Sequence, residues 1–155
     1  MKKTLKEQIK ITEAGHAIPE NTGLFGIDVT EEEASLVIIP VPWDATASYG
    51  LGTSKSAPAL LEASHQIDHH DLCFDKPYQK GLKLLEINEE IKSLNNKAHK
   101  IIDEIREEHQ KENQEKKDKV NQISSKVNDL VEEQAENFLQ KGKVVGVLGG
   151  DHSSP

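Results

Sequence analysis

The sequence predicts an α/β fold built on a parallel sheet, with a long helical hairpin between two of its strands. Two apolar runs, at residues 34–41 and 143–148, are continuous rather than alternating, which is typical of parallel strands covered on both faces. Between them, residues 86–141 contain neither Gly nor Pro and repeat apolar residues at steps of three and four, the spacing of a helix. Strands and helices in this arrangement favour a sheet with helices packed on its faces.

Residues 1–33 form the first predicted region, a short helix or frayed arm followed by a loop. Their charged ends and interior Pro and Gly residues indicate a short element and irregular backbone. The first strand is predicted at residues 34–41. Proline has no backbone N–H to donate to a neighbouring strand, so the strand is expected to end near Pro40 and Pro42 or to lie where the lost hydrogen bonds do not matter.

A polar, Gly-rich loop at residues 43–53 follows this strand. A helix is then predicted at residues 57–64, with Ser56 as a plausible cap. Residues 66–72 are predicted to form a short further strand. Strand, loop, helix and strand make a βαβ unit, so residues 34–85 are expected to be the first part of an α/β domain.

The densest set of metal-capable side chains occurs in and beside this further strand: His65, Asp68, His69, His70 and Asp71. Alternate residues of a strand point to opposite faces, so no three of the four consecutive residues converge on one ion. A structural zinc site normally needs four convergent ligands. We therefore interpret the segment as an exposed polar strand end, and the nearby Cys73 as a small, half-buried hydrophobic residue.

Residues 86–141 are predicted to form two antiparallel helices, at 86–109 and 115–141, joined by a polar turn near Asn113. A single continuous rod is the alternative. The segment holds 14 acidic and 10 basic side chains, a density that indicates a solvated face rather than a nucleic-acid or partner surface. Its narrow apolar stripe must pack against the second helix or another subunit. Both histidines of the segment are interpreted as solvated helix residues: His99 and His109.

Residues 142–155 carry the most informative stretch, a predicted strand at 143–148 followed by Gly-Gly-Asp-His-Ser. Glycine adopts backbone angles closed to other residues, so the Gly pair predicts a sharp turn. The turn would present Asp151 and His152 beyond the carboxyl end of the strand, where open α/β sheets bind their ligands. A candidate site is therefore expected at this edge of the sheet.

The composition argues against two classes of binding partner and indicates a cellular compartment. The net charge of −8 argues against nonspecific binding of nucleic acid or of an anionic membrane, because both would be repelled. No apolar run is long enough to span a bilayer, and no apolar signal core follows the first residues. The single cysteine excludes an internal disulfide and suits a reducing compartment, so we expect a cytoplasmic protein.

Two stretches resemble one enzyme family. Gly-Gly-Asp-His-Ser at residues 149–153 resembles the first metal-ligand motif of the ureohydrolases, the family of arginase, agmatinase and formimidoylglutamase. Residues 40–53, Pro-Val-Pro-Trp-Asp-Ala-Thr-Ala-Ser-Tyr-Gly-Leu-Gly-Thr, look like the amino-terminal signature of the agmatinase-like branch. The following helix opens with Ala57-Pro58, where the family commonly has Gly-Pro. This departure affects the expected geometry of the loop more than the fold.

The resemblance implies a chemistry and a set of residues. His152 would bind one of two Mn²⁺ ions that activate a water for attack on a small guanidino or formimino substrate, releasing urea or a related amide and an amine. The turn or the surroundings of the metal would be formed by Gly149, Gly150, Asp151 and Ser153. In the other matching stretch, Ser48 and Tyr49 would lie at the rim of the substrate site. Trimers or hexamers are common in the family.

The family's further ligand patterns, Asp-x-His-x-Asp and Asp-x-Asp, do not occur in residues 1–155. We therefore expect the amino-terminal half of a ureohydrolase: a truncated, three-layer arginase-like fold, inactive without the missing carboxyl-terminal half. The segment 86–141 would be an insertion that projects from the domain. The alternative is a non-catalytic interaction protein that binds a partner through the hairpin, with His152 as a relic.

Overall fold

The computed structural model describes residues 3–15, 22–67, 69, 71–107 and 113–151. In chain order the helices and strands are α1 (Leu5–Glu13), β1 (Leu36–Pro40), α2 (Ser56–Ser64), β2 (Leu82–Leu84), α3 (Glu89–Glu107), α4 (Gln114–Gln140) and β3 (Val144–Leu148). The predicted mixture of strands and helices is confirmed, and so is the order of the elements that the two apolar runs and the helical spacing indicated.

The three strands form one parallel sheet in the order β2-β1-β3. Leu36 of β1 lies between Leu82 of β2 and Val144 of β3, so the central strand is the first in the chain. The predicted strand at residues 66–72 is wrong, because no residue of that stretch that the structure describes belongs to a strand. Its place beside β1 is taken by the three-residue β2, which the sequence interpretation did not identify.

Helices α3 and α4 form the predicted antiparallel hairpin. Lys116 at the start of α4 pairs with Glu104 near the end of α3 at 2.9 Å, whereas Lys126, further along α4, pairs with Glu90 near the start of α3. Pairs that run in opposite order along two helices require an antiparallel arrangement, which excludes the single rod.

One face of the sheet is covered by the part of this hairpin nearest to it. A single apolar cluster joins β1 and the residues after it to both helices: Ile39, Val41, Trp43, Ala45, Ile91, Leu94, Ala98, Val127 and Val131. Every member is at most 6% exposed. The hairpin therefore contributes a large share of the core that holds the sheet, in addition to any length that extends beyond it.

Helix α1 packs near the beginning of β1, where Ile9 belongs to the same apolar cluster as Ala34 and Val37. Helix α1 begins with a capping box, in which Thr4 and Glu7 each accept a hydrogen bond from the other's backbone N–H. At its far end Glu13 accepts hydrogen bonds from Lys76, Tyr78 and Gln79 at 2.8–2.9 Å. These bonds lower the pKa of Glu13 to about 2 and attach α1 to the segment that precedes β2.

Helix α2 begins one residue earlier than predicted, at Ser56, so this serine is not its cap. The Ser56 hydroxyl instead donates to the Gly149 carbonyl oxygen at 3.3 Å. Strand β3 is an edge strand, and Val144 and Val147 are 61% and 40% exposed. None of the described helices combines the length and apolarity needed to cross a membrane.

Candidate functional site

The loop after β1 and the turn after β3 meet at the carboxyl edge of the sheet. The two strands end level, with Pro40 opposite Leu148. Beyond the paired residues, the Val41 N–H donates to the Leu148 carbonyl oxygen at 2.8 Å, and the Asp151 N–H donates to the Trp43 carbonyl oxygen at 2.9 Å. The turn is therefore held to the loop by its own backbone, at the edge where the sequence predicted a site.

Gly150 is required for this contact for a different reason from the one predicted. Its φ angle lies outside the left-handed region, so the residue does not need the conformational freedom of glycine. A Cβ atom at this position would instead overlap the carbonyl group of Trp43. Glycine is needed here because the turn approaches the backbone of the neighbouring loop more closely than any side chain permits.

Side chains reinforce the same contact. The Thr46 hydroxyl donates to Oδ2 of Asp151 at 2.7 Å, and the indole Nε1–H of Trp43 donates to Oγ1 of Thr46 at 2.9 Å. The Trp43 side chain is 1% exposed, so the indole is fixed by the core as well as by its hydrogen bond. Asp151 is thus held through its backbone and its carboxylate by two residues of one loop.

Asp44 of the same loop has hydrogen-bond partners at both of its carboxylate oxygens. Its carboxylate is buried, and Oδ2 accepts hydrogen bonds from the Gly52 N–H at 2.8 Å and from the Ser54 N–H and hydroxyl at 3.3 and 2.9 Å. Oδ1 accepts from Nδ2 of Asn95 at 3.1 Å and lies 2.8 Å from Nε2 of His99. The carboxylate thus ties the two ends of the loop to each other and to helix α3.

These donors determine the charge of Asp44. Burial alone would raise its pKa, because a charged carboxylate loses its hydration. The hydrogen bonds from His99, Asn95, Gly52 and Ser54 outweigh that effect and hold the pKa of Asp44 well below its usual range. An ionised carboxylate can only accept hydrogen bonds, so the nitrogen of His99 that faces it must carry a proton.

The interpretation of His99 as a solvated helix residue is therefore wrong. Its side chain is only 22% exposed and bonds to a buried carboxylate. Asn95, which no sequence motif identified, is 6% exposed, and its Oδ1 accepts hydrogen bonds from the N–H groups of Asp44 and Ala45 at 3.0 and 3.1 Å. One signal was available, since Asn95 interrupts the apolar stripe four residues after Ile91, where a polar side chain needs a buried partner.

The other predicted site residues are placed as follows. Ser48 and Tyr49 are exposed on the loop after β1, with Tyr49 92% accessible, and their role at a substrate rim stays a prediction. His152 and Ser153 lie outside the described residues, and so does His109 of the hairpin.

The His- and Asp-rich segment has other contacts where the structure describes it. His65 lies 3.2 Å from the Gly23 carbonyl oxygen, and the His69 ring packs against Tyr78, with ring centroids 4.9 Å apart. Oδ1 of Asp71 accepts hydrogen bonds from the next residues of its own turn. Cys73 is exposed rather than half-buried as predicted, because residues 71–75, which the structure describes, form an exposed bend rather than a strand. Two members of the set lie outside the described residues: Asp68 and His70.

The described residues do not assemble a metal centre by themselves. Within these ranges no three His, Cys, Asp or Glu side chains come close enough to share an ion. Asp44 and His99 form a pair, but the carboxylate already accepts hydrogen bonds on both oxygens. Asp44 and His99 therefore do not form a site for two Mn²⁺ ions.

Comparison with known proteins identifies the family. The model of the arginase family matches residues 34–154, which include β1, the hairpin, β3 and the turn after it. The chain belongs to the arginase family. The predicted resemblance and the α/β fold class are thereby confirmed.

Within the arginase family, 39 residues of the chain are 41% identical to N(1)-aminopropylagmatine ureohydrolase of Synechocystis sp.. The aligned stretch covers 25% of this chain and 13% of that protein, so the chain matches only a small part of the length of this relative. No solved structure matches the chain.

Proposed function

We propose that the chain forms part of the active site of a hydrolase that cleaves a C–N bond of a guanidino or amidino group. The observation that carries this proposal is the Gly149–Gly150–Asp151 turn, held against the loop after β1 at the carboxyl edge of a parallel sheet. The chain belongs to the arginase family, and this turn leads directly into His152 of the Gly-Gly-Asp-His-Ser motif, the residue that we propose as a metal ligand.

His152 is proposed as a ligand of Mn²⁺, and the family is generally manganese-dependent. Two such ions, when bound, supply a water made nucleophilic at neutral pH. Asp151 would fix the turn so that the next residue keeps a constant position. The described residues alone do not provide the remaining ligands, so this part of the proposal depends on His152 and on residues that the sequence does not contain.

The substrate is proposed to be an agmatine-like guanidino compound that is converted to urea and an amine. The ureohydrolase of N(1)-aminopropylagmatine that aligns with part of the chain supports this class over arginine. The match of residues 40–53 to the agmatinase-like pattern supports it as well. Ser48 and Tyr49, both exposed on this loop, are proposed to lie at the rim of the substrate site.

We further propose that residues 1–155 are inactive by themselves and act together with a carboxyl-terminal half. The assembled enzyme would be a homo-oligomer, a trimer or hexamer, with neither nucleic acid nor membrane as a partner. A cytoplasmic location agrees with the single cysteine, Cys73, which is exposed and unpaired with any other cysteine.

The activity is tested by reading the coding sequence past codon 155 and assaying the encoded protein with Mn²⁺. We expect an in-frame Asp-x-His-x-Asp and urea release from agmatine or N(1)-aminopropylagmatine. His152→Ala should abolish release and lower the Mn²⁺ content, whereas Lys100→Ala, on the exposed side of α3, should leave both unchanged. Undiminished urea release by His152→Ala would contradict the proposal, and so would tight, stoichiometric Mn²⁺ on residues 1–155 alone.

The alternative, an interaction protein that uses the hairpin, has less support. Helix α3 provides Asn95 and His99 to the buried Asp44, so at least one side of the hairpin is built into the sheet domain. A stop codon at position 156 with no second half in the genome, together with a partner captured by the hairpin, would favour this alternative.

A further inference from the structure

We propose that Asn95 and His99 of helix α3 are positioning residues, which hold Asp44 and thereby fix the turn that ends at Asp151, the residue before His152 in the sequence. The hairpin is on this view part of the machinery of the site rather than an appendage. Its consequence for catalysis rests on the proposed function, whereas the placement of the turn can be measured without any activity.

Helix α3 is a rigid support for these two side chains. Ile91 and Ala98 are 0% exposed and Leu94 is 6% exposed, all within the cluster that joins the hairpin to β1. Asn95 follows Leu94 directly and His99 lies one turn further on, on the same side of the helix. Their hydrogen-bonding atoms are consequently set by a helix that the core holds in place.

The second link is Asp44, which both residues bind. Asn95 binds it through Nδ2, which donates to the carboxylate, and through Oδ1, which accepts from the Asp44 N–H. This pair of bonds fixes the backbone and the side chain of Asp44 at once. The other carboxylate oxygen accepts from Gly52 and Ser54, so the same residue also closes the loop.

The third link runs from Asp44 to the turn. The residue before it, Trp43, accepts the Asp151 N–H through its carbonyl oxygen, and Thr46, two residues after it, donates to the Asp151 carboxylate. A shift of Asp44 would move both contacts, because they lie on either side of it along the same short stretch of backbone. The close approach of Gly150 to Trp43 leaves the turn little room to adjust independently.

Among the residues that link helix α3 to the turn, His99 best distinguishes a positioning role from a packing role. Its imidazole is partly exposed, so removal of the ring empties less of the core than the loss of a buried apolar residue would. It nevertheless supplies one of the donors that a buried, ionised carboxylate requires. Loss of that donor should therefore loosen Asp44 and the turn more than it lowers the global stability.

The test uses ¹⁵N-labelled chain and two reporters in the turn contact: the indole N–H of Trp43, the only tryptophan, and the backbone N–H of Asp151. His99→Leu removes the donor and should shift both resonances and speed hydrogen exchange at Asp151 at least about tenfold. His99→Gln keeps an N–H donor on a more flexible side chain and should give an intermediate exchange rate. Lys100→Ala, the exposed neighbour on α3, should match the wild type.

Exchange of amides in α1 is the control for global destabilisation, because α1 belongs to the other apolar cluster. Equal acceleration in α1 and at Asp151, or no change at Asp151 in His99→Leu, would overturn the proposal. Should His99→Leu fail to fold, His99→Gln decides by itself: an Asp151 exchange rate equal to that of the wild type overturns it. Because no step uses a substrate, a failure here is distinct from the absence of urea release.

Discussion

The two halves of the helical hairpin have the same kind of apolar stripe but different surroundings. We call residues 89–99 and 120–140 the hairpin base, and residues 100–107 and 113–119 the hairpin tip, because Glu90 pairs with Lys126 and Glu104 with Lys116. In the base, most of the stripe is buried against the sheet, with Ile123, Leu130 and Ala135 partly buried beside it. Asn95 and His99, also in the base, bond to the loop of the candidate site. In the tip, Ile101, Ile102 and Ile105 are only half-buried.

This difference shows what helical periodicity determines and what it leaves open. An apolar stripe identifies the face of a helix that must be covered, but it does not identify what covers it. In the base the cover is the sheet and the partner helix, whereas in the tip much of it is the partner helix alone. The base should therefore control both stability and the geometry of the site, and the tip should control neither strongly.

The largest effect is expected for Ile91→Ala in the base. Ile91 is 0% exposed in the main cluster, so its truncation should lower the free energy of unfolding by about 2–5 kcal/mol. The matched change in the tip, Ile105→Ala, should cost roughly 1–2 kcal/mol because that side chain is half-buried. Urea unfolding measures both, and equal losses would mean that base and tip do not differ as described.

A smaller effect is expected for Asn95→Ala. The change leaves the buried N–H groups of Asp44 and Ala45 without their acceptor, which should lower the free energy of unfolding by about 1–3 kcal/mol. The adjacent Asn96 is exposed, so Asn96→Ala should change it by no more than about 0.5 kcal/mol. Comparable effects of the two substitutions in urea unfolding would show that the Asn95 amide does not hydrogen-bond to Asp44 and Ala45.

The pH dependence of stability should identify Asp44. The pKa of Asp44 is lower in the folded than in the unfolded chain. The stabilisation that Asp44 gives the folded state is therefore fully present above the pKa of the unfolded chain, about 3.9, and is lost as the pH falls toward the pKa of the folded chain. Asp44→Asn should therefore be less stable than the wild type at pH 6, and the difference should shrink below pH ~4. A difference that stays constant over unfolding curves from pH 6 to 3 would contradict this assignment.

The smallest effect is expected at exposed ion pairs of the tip. Lys119 and Glu115 lie 2.6 Å apart on α4, and both side chains are more than half exposed. Because such pairs contribute little in water, Lys119→Ala should change the free energy of unfolding by no more than about 0.5 kcal/mol. A loss of unfolding free energy as large as that for Asn95→Ala would mean that the tip contributes to stability as strongly as the base.

Much of the fold could be predicted because its signals are local. The continuous apolar runs of β1 and β3, the Gly/Pro-free hairpin and the helix after the first loop all follow from neighbouring residues. Strand β2 could not be predicted in this way. Its Leu-Lys-Leu sequence is too short to carry a pattern, and pairing with β1 makes it a strand. The segment at 66–72 showed the opposite error: its sequence, Gln-Ile-Asp-His-His-Asp-Leu, contains few residues that favour strands, and the strand was inferred from the position of the segment after a helix.

The candidate site divides in the same manner. The turn at Gly149–Asp151 could be predicted because a strand and its motif are adjacent in the chain. The hydrogen bonds from Asn95 and His99 to Asp44 could not, because they join residues 51 and 55 positions apart in a segment that looked independent of the sheet. Gly150 shows a third case, in which the residue was identified and the reason was not, since close approach to another loop is visible only in the folded chain.

The most direct test of the account is the NMR scalar coupling across the hydrogen bond from the Asp151 N–H to the Trp43 carbonyl. A measurable coupling is expected, because the Asp151 nitrogen and the Trp43 oxygen are 2.9 Å apart within a fixed loop and turn. The bond from the Val41 N–H to the Leu148 carbonyl, at 2.8 Å, is the internal standard. Coupling at Val41 without coupling at Asp151 would show that the strands pair but the turn does not meet the loop, which would contradict the proposed site.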